Sequence, residues 1–181
     1  MKNKRQYYAH TVLGLESVLG GEIIKIGGEL EESLPGLIQF SWSGNLFDLF
    51  NLGISEDLFF CLLKTDISLE KSGLKDLESQ IETSKSWEKG LEILGKLSRR
   101  REKRIRFRVI AQRHRGGQKY VRTVLRDRVT RVIERRFPSW KSVADGENLE
   151  FWVWQSQKKV FCGLRLSDRT MRHRSYKIKS I

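Results

Sequence analysis

The chain reads as an α+β protein made of two small domains in series. Short strand-like runs and amphipathic helical runs alternate along almost all of its 181 residues. A polar stretch from Asp66 to Lys75 separates two such series. Charge also changes character along the chain. The first 95 residues carry 9 bases and 15 acids, whereas Lys96 to Arg136 carries 17 bases and 3 acids, Glu102, Asp127 and Glu134. That basic stretch has a net charge of +14, against −6 before it and +5 in the 45 residues after it, which together give the chain's +13.

In the first series, Gln6 to Val12 reads as a strand. Gly14 opens LESVLGGEIIKIG, where Leu15, Val18, Leu19, Ile23 and Ile26 recur at helical spacing before Gly27-Gly28 ends the helix. A short strand near Glu29 to Glu31, the turn Leu34-Pro35-Gly36 and a second strand, LIQFSW, follow. NLFDLFNLG is a short helix stopped by Gly53, and DLFFCLLKT is a strong strand run. The order β-α-β-β-α-β in about 65 residues is the split βαβ, or ferredoxin-like, arrangement, which assigns residues 1–68 to the first domain.

The second series begins with a short helix at Leu74 to Ile81. A longer helix follows, with Trp87, Leu91, Leu94 and Leu97 on one face, and ends in Arg99, Arg100 and Arg101. In the next strand Ile105, Phe107, Val109 and Ala111 point one way, and Arg104, Arg106 and Arg108 the other. In the helix after it Val121, Val124, Leu125, Val129, Val132 and Ile133 form the apolar stripe. Two late strands, LEFWVWQSQ and KVFCGLRLS, are separated by little more than Lys158-Lys159 and read as a hairpin.

Composition narrows the function classes. An apolar fraction of 39% with five Trp describes a chain that buries a core. Cys61 and Cys162 each lie inside an apolar strand run, which reads as reduced, buried thiols. There is no CxxC pair, and only three His are present, so the sequence gives a zinc site no support. The longest apolar run, Leu58 to Leu63, is far too short to cross a bilayer, and no signal-peptide core follows the basic N-terminus. The expected location is the cytoplasm, with no membrane partner.

The basic strand and helix carry the functional signal. A charge run is usually a solvated surface, but such faces alternate signs because like charges at i,i+4 repel. Here Arg122, Arg126, Arg128, Arg131 and Arg135 meet only Asp127 and Glu134 in the local sequence. Such a face calls for a polyanion, and arginine suits forked contacts to phosphate. The loop RHRGGQKY joins strand to helix. Gly116-Gly117 permits close backbone approach, Arg113, Arg115 and Lys119 surround it, and a helix N-terminus follows, which is a natural phosphate seat. The bland alternative is an ordinary βα loop. Trp152 and Trp154 read as core, with stacking on an unpaired base as the alternative. His114 and His173 sit among arginines with no local carboxylate or nucleophile partner, and read as structural neighbours of phosphate rather than as bases. No P-loop, GxSxG or paired-carboxylate motif is present.

Three segments together resemble one family. GLESVLGGEIIKIG resembles the helix that opens the N-terminal ferredoxin-like domain of THUMP-containing RNA methyltransferases. FRVIAQRHRGGQKYVRTVLRDRV resembles the strand, basic loop and helix of the THUMP domain. VFCGLRLSDRTMRHRSYK resembles its closing strand and the segment leading into the methyltransferase domain. The loop departs from that family's usual R-A-G-x-x-x-F pattern. Phe161-Cys162-Gly163 is similar to the start of an FCGSGT adenosylmethionine loop, but no Asp-Pro precedes it and Leu-Arg-Leu follows. No NPP[YF] tetrapeptide is present, since Pro35 and Pro138 are the only prolines.

The resemblance implies a THUMP domain at residues 70–175, a linker stub at 176–181, and an absent methyltransferase domain. It implies the RNA-docking half of a guanine-N2 methyltransferase, as a fragment, a truncated product or a module serving a separate enzyme. Any need for S-adenosylmethionine would fall on the missing domain, so no cofactor is expected in this chain. The implied partner is tRNA, held by its acceptor stem and 3′ CCA end, with the CCA end near Tyr120. The resemblance implies phosphate contacts by Arg113, Arg115, Lys119, Arg122 and Arg126. Together with the basic strand and the glycine loop, the expected RNA-binding residues are Arg104, Arg106, Arg108, Arg113, Arg115, Gly116, Gly117, Lys119, Tyr120, Arg122 and Arg126. The equivalent module of a large-subunit rRNA methyltransferase, and a protein adaptor with a basic docking face, stay open as alternatives.

Overall fold

A computed structural model describes residues 4–97, 104–114, 116–167 and 171. Among these the fold is α+β, with eight strands and five helices. By contact the chain forms two compact units, one of Met1–Phe60 with the segment beginning at Arg165, the other of Cys61–Leu164.

The first unit runs β1 (Arg5–His10), α1 (Glu16–Lys25), β2 (Glu29–Leu34), β3 (Leu37–Trp42), α2 (Leu46–Leu49) and the start of β4 (Asp57–Asp66). Its strands lie in the order β2-β3-β1-β4, with every neighbour antiparallel. This is the split βαβ order expected from the sequence. Tyr7 faces Phe40 across one ladder and Phe60 across the other, so three rings share one side of the sheet. α1 closes over that side through Leu19, Gly20 and Ile23. Leu15 and Val18, expected in the buried stripe, are 36% and 48% exposed. Gly20 is the reason. An atom placed at its Cβ would lie 3.1 Å from Leu30 and 3.6 Å from Ile38, so the helix rests on its glycine and turns the other residues outward. α2 starts where the Asn45 side chain accepts the Phe47 amide at 3.1 Å.

The second unit holds the rest of β4, α3 (Lys71–Thr83), α4 (Ser86–Leu97), β5 (Arg106–His114), α5 (Arg122–Arg136), β6 (Lys141–Ser142), β7 (Leu149–Ser156) and β8 (Lys159–Arg165). Its strand order is β4-β8-β7-β5-β6. β7 and β8 form the expected hairpin, pairing Ser156 with Lys159 across a turn in which Gln157 has a φ of +52°. β5 pairs parallel with β7 and with the two-residue β6. The α5 crossover permits this, because parallel strands cannot be joined by a tight turn. Phe107, Val109 and Ala111 point inward from β5 as the alternation requires. Trp87 anchors the helical layer. It is 1% exposed, stacks on Phe151, packs edge-on to Phe137 and donates its indole N–H to the Ile81 carbonyl at 2.8 Å. Trp152 and Trp154 are buried core residues, as their bulk suggested. Among the described residues no helix is long and apolar enough to cross a membrane.

Candidate nucleic-acid interface

The loop between β5 and α5 is built around Arg113. From the end of β5 its Nη1 donates to the Tyr120 carbonyl at 2.7 Å and its Nη2 to Gln118 Oε1 at 2.6 Å. The guanidinium also lies over the Tyr120 ring, 5.8 Å from its centroid. One side chain thus ties down the far half of the loop. Gly117 makes this path possible with a φ of +111°. The Lys119 amide donates to the Leu69 carbonyl at 2.9 Å, and its ammonium pairs with Glu70 at 2.8 Å. Gln118 reaches the Gln157 carbonyl at 3.3 Å, so the hairpin tip also supports the loop.

Tyr120 is 5% exposed, and its hydroxyl shares two hydrogen bonds with the Gln155 side chain. Burial raises its phenol above the usual range, against the lowering effects of Gln155 and Arg113. It is a core anchor with no open ring face for a base. Arg113 is likewise committed inward. Gly116, Gly117 and Lys119 remain exposed at the surface of the loop. Arg115 lies outside the described residues, as do Arg99 to Arg101, His173 and residues 176–181. His114 lies against Trp154 with its ring tilted by 30° and ring centroids 5.2 Å apart.

α5 begins at Val121 with no side-chain cap and no acid in its first turn. The amides ahead of Val124 therefore have no helical acceptor, and the positive dipole end carries no acid of its own first turn. Arg122 stands exposed at that end. Arg126 is exposed one turn later, and its guanidinium pairs with its neighbour Asp127 at 2.8 Å. At roughly 100° per residue, Arg128 and Arg135 lie on the opposite flank of the helix. There α3 meets them. Glu78 pairs with Arg128 at 2.9 Å, Glu82 with Arg135 at 3.5 Å, and Arg136 donates to the Glu82 carbonyl. Counting local acids alone, Asp127 and Glu134, misjudged this helix, because two further carboxylates arrive from about fifty residues earlier. Arg131 is exposed, without an ion pair among the described residues.

At the other end of β5, Arg108 is engaged internally. It bridges Glu147 at 2.8 Å and Glu150 at 2.7 Å, both nearly buried. Arg104 and Arg106 stay exposed. The structure thus brings Gly116, Gly117, Lys119, Arg122 and Arg126 together at one end of the second unit and leaves Arg104 and Arg106 at the other. Sequence reading missed the acids of α3 and also Lys158, exposed at the hairpin tip that braces the loop. The Lys158-Lys159 pair was a visible signal for the latter. Phe161, Cys162 and Gly163 are interior residues of β8, and burial raises the Cys162 thiol well above its usual range, with Cys61 adding to the effect. That geometry does not fit an adenosylmethionine loop.

Comparison with known proteins establishes the fold. TrmN from Thermus thermophilus matches with a TM-score of 0.70 at 19% identity, over 92% of this chain and 46% of that one. A predicted N6-adenine-specific DNA methylase from Listeria monocytogenes matches with a TM-score of 0.65 at 15% identity, over 90% and 40%. A 4-thiouridine synthetase in complex with RNA and ATP matches with a TM-score of 0.58 at 13% identity, over 90% and 42%. The chain has the fold of one part of each. It spans less than half the length of these three structures. No family model matches the sequence, and no curated protein does.

Proposed function

We propose that this chain is an RNA-binding module of THUMP type that docks tRNA by its acceptor stem and 3′ CCA end for a guanine-N2 methyltransferase. The RNA-binding part is residues 70–175, and the methyl transfer belongs to a catalytic domain elsewhere. The observation that carries the reading is the group of exposed arginines around the uncapped start of α5, beside the Gly116-Gly117 turn, inside a stretch of net charge +14. Exposed guanidinium groups next to a helix N-terminus suit phosphate oxygens, and A-form RNA is recognised mainly by its shape and backbone. The fold shared with TrmN and with a synthetase bound to RNA supports an RNA ligand.

The test is a tRNA titration at several salt concentrations. With about four phosphates neutralised, log K falls against log salt with a slope of roughly −2.8 to −3.6. A flat salt dependence refutes the reading. Arg122→Glu with Arg126→Glu weakens binding about tenfold or more, since each charge lost at a phosphate contact contributes on the order of 1 kcal/mol. Unchanged affinity moves the site away from α5. Removing the CCA end weakens binding if the acceptor end is held, and a large-subunit rRNA fragment that binds more tightly than tRNA favours the rRNA alternative.

A further inference from the structure

We infer that Glu78 and Glu82 of α3 are specificity-determining residues that mask one flank of α5 and confine phosphate binding to the flank carrying Arg122 and Arg126. The inference rests on the proposed RNA-binding role and adds how that surface is limited. α3 buries Leu74, Leu77 and Ile81 against the second unit. Glu78 and Glu82 follow Leu77 and Ile81 by one position each, so both emerge at the seam with α5. They meet Arg128 at 2.9 Å, Arg135 at 3.5 Å and, through the Glu82 carbonyl, Arg136.

The arrangement ties one flank of the helix to a neighbouring element, whereas the pairing on the other flank stays within α5 itself. The Arg128 and Glu78 side chains are only 31% and 21% exposed, so their pairing is sheltered from bulk solvent. Arg136 is half-buried against Phe137, with its guanidinium 5.4 Å from the ring centroid. On the other flank Arg126 has an exposed pairing with Asp127 on its own helix, and Arg122 has no ion pair among the described residues. A helix with arginines unmasked all round would attract polyanion from any direction. With three of its arginines held by α3, and Arg131 the one arginine of that flank left exposed without an ion pair among the described residues, contact favours the other side, so the direction of approach is selected by what is withheld. Ordinary packing of α3 on α5 needs only the apolar seam. It does not require both carboxylates to fall on arginines.

The experiment compares the full chain with Glu78→Gln/Glu82→Gln. Asp48→Asn/Glu88→Gln is the control, because it changes net charge equally at exposed acids that make no ion pair with α5 among the described residues. Binding is read against tRNA, poly(U) and immobilised heparin. Unmasking two arginines steepens the salt slope by roughly 1.4 to 1.8. It also tightens poly(U) binding severalfold beyond the control, so discrimination between tRNA and poly(U) falls. Arg128→Gln/Arg135→Gln leaves tRNA affinity of the otherwise native chain within about twofold and abolishes the gain in the Glu78→Gln/Glu82→Gln background, as coupled positions should. Melting curves of each variant confirm folding. A purely structural role for the acids would lower the melting temperature and leave the slope where it was. A slope and poly(U) affinity matching the control overturn the inference, as does a loss of tRNA binding in Arg128→Gln/Arg135→Gln. Heparin separates the two claims. Later elution of the unmasked variant together with no tRNA binding by any form keeps the mask and refutes the RNA reading.

Discussion

Asp57 and Arg165 form the most deeply buried ion pair among the described residues, at 2.7 Å with side-chain exposures of 1% and 9%. Ser167 completes it, donating to the carboxylate at 3.3 Å while accepting from the Leu58 amide at 3.1 Å. Such a pair adds little net stability over an apolar filling, yet removing one partner strands a charge in the interior. Asp57→Asn should therefore destabilise the protein by about 3–5 kcal/mol, and a paired apolar replacement of both residues by much less. Urea unfolding of the three proteins checks the ordering, and equal costs would contradict it. Glu16 makes a different kind of contact. Its carboxylate accepts the Gly36 amide at 2.6 Å and the Gly14 amide at 2.9 Å, and these bonds, Gly36 first, hold it below the usual carboxylate range. A depressed folded value means that the contribution is present above the unfolded value and is lost as pH falls through the folded one. Amide resonances of Gly14 and Gly36 should shift together on acidification, with a midpoint below that of an exposed glutamate. A midpoint in the ordinary range would show the bonds to be absent in solution.

Gly73 in α3 sets helix propensity against packing. Replacing a glycine within a helix by alanine gains up to roughly 0.5–1 kcal/mol, and Gly73 sits in the first turn of this one. Here an added Cβ runs into the backbone of Ser68, which cannot rotate aside as a side-chain tip would. Overpacking costs typically about 1–3 kcal/mol, so Gly73→Ala should lower stability, read as a lower thermal midpoint. A rise would mean that the turn before α3 yields freely. Elements of this kind also show what the sequence made legible. Strand alternation identified β5 and its inward residues, since period two leaves no ambiguity once one face is charged. The split βαβ order was legible because each element ends at a glycine or a polar turn. Periodicity placed Leu15 and Val18 in the wrong arc of α1, because it weighs Gly20 as neutral when that glycine is the point of closest contact. Val121 and Val124 were assigned to the buried stripe of α5, yet they are 59% and 38% exposed at its first turn. β6 left no trace, being two residues held by backbone pairing to β5. The inward commitment of Arg113, Arg108 and Tyr120 was illegible for a shared reason. Each is satisfied at least in part by a residue that folding brings near, such as Gln155 for Tyr120 or Glu147 and Glu150 for Arg108.

For the molecule as a whole, charge is concentrated in sequence but divided in space. Four exposed arginines of the second unit fall at two ends of β5, with Arg104 and Arg106 at its start and Arg122 and Arg126 beyond its finish. Nine residues at a rise of about 3.3 Å separate the strand's ends by roughly 26 Å. Two clusters that far apart cannot share one phosphate, and at about 0.15 M salt they lie some three screening lengths from each other. If a single RNA spans both, each cluster contributes its own counterion release. Removing both charges at either end, by Arg104→Gln/Arg106→Gln or Arg122→Gln/Arg126→Gln, should flatten the salt slope by roughly 1.4 to 1.8, and the losses in log K should add in the fourfold variant. If only the loop end grips RNA, the Arg104/Arg106 variant leaves the slope untouched. If the losses saturate instead of adding, the two ends act through one contact, and the fold is bringing them together on the ligand by a bend in the RNA rather than by its own geometry. Filter binding of the three variants across a salt series separates these outcomes, because the slope counts contacts while the intercept measures their strength.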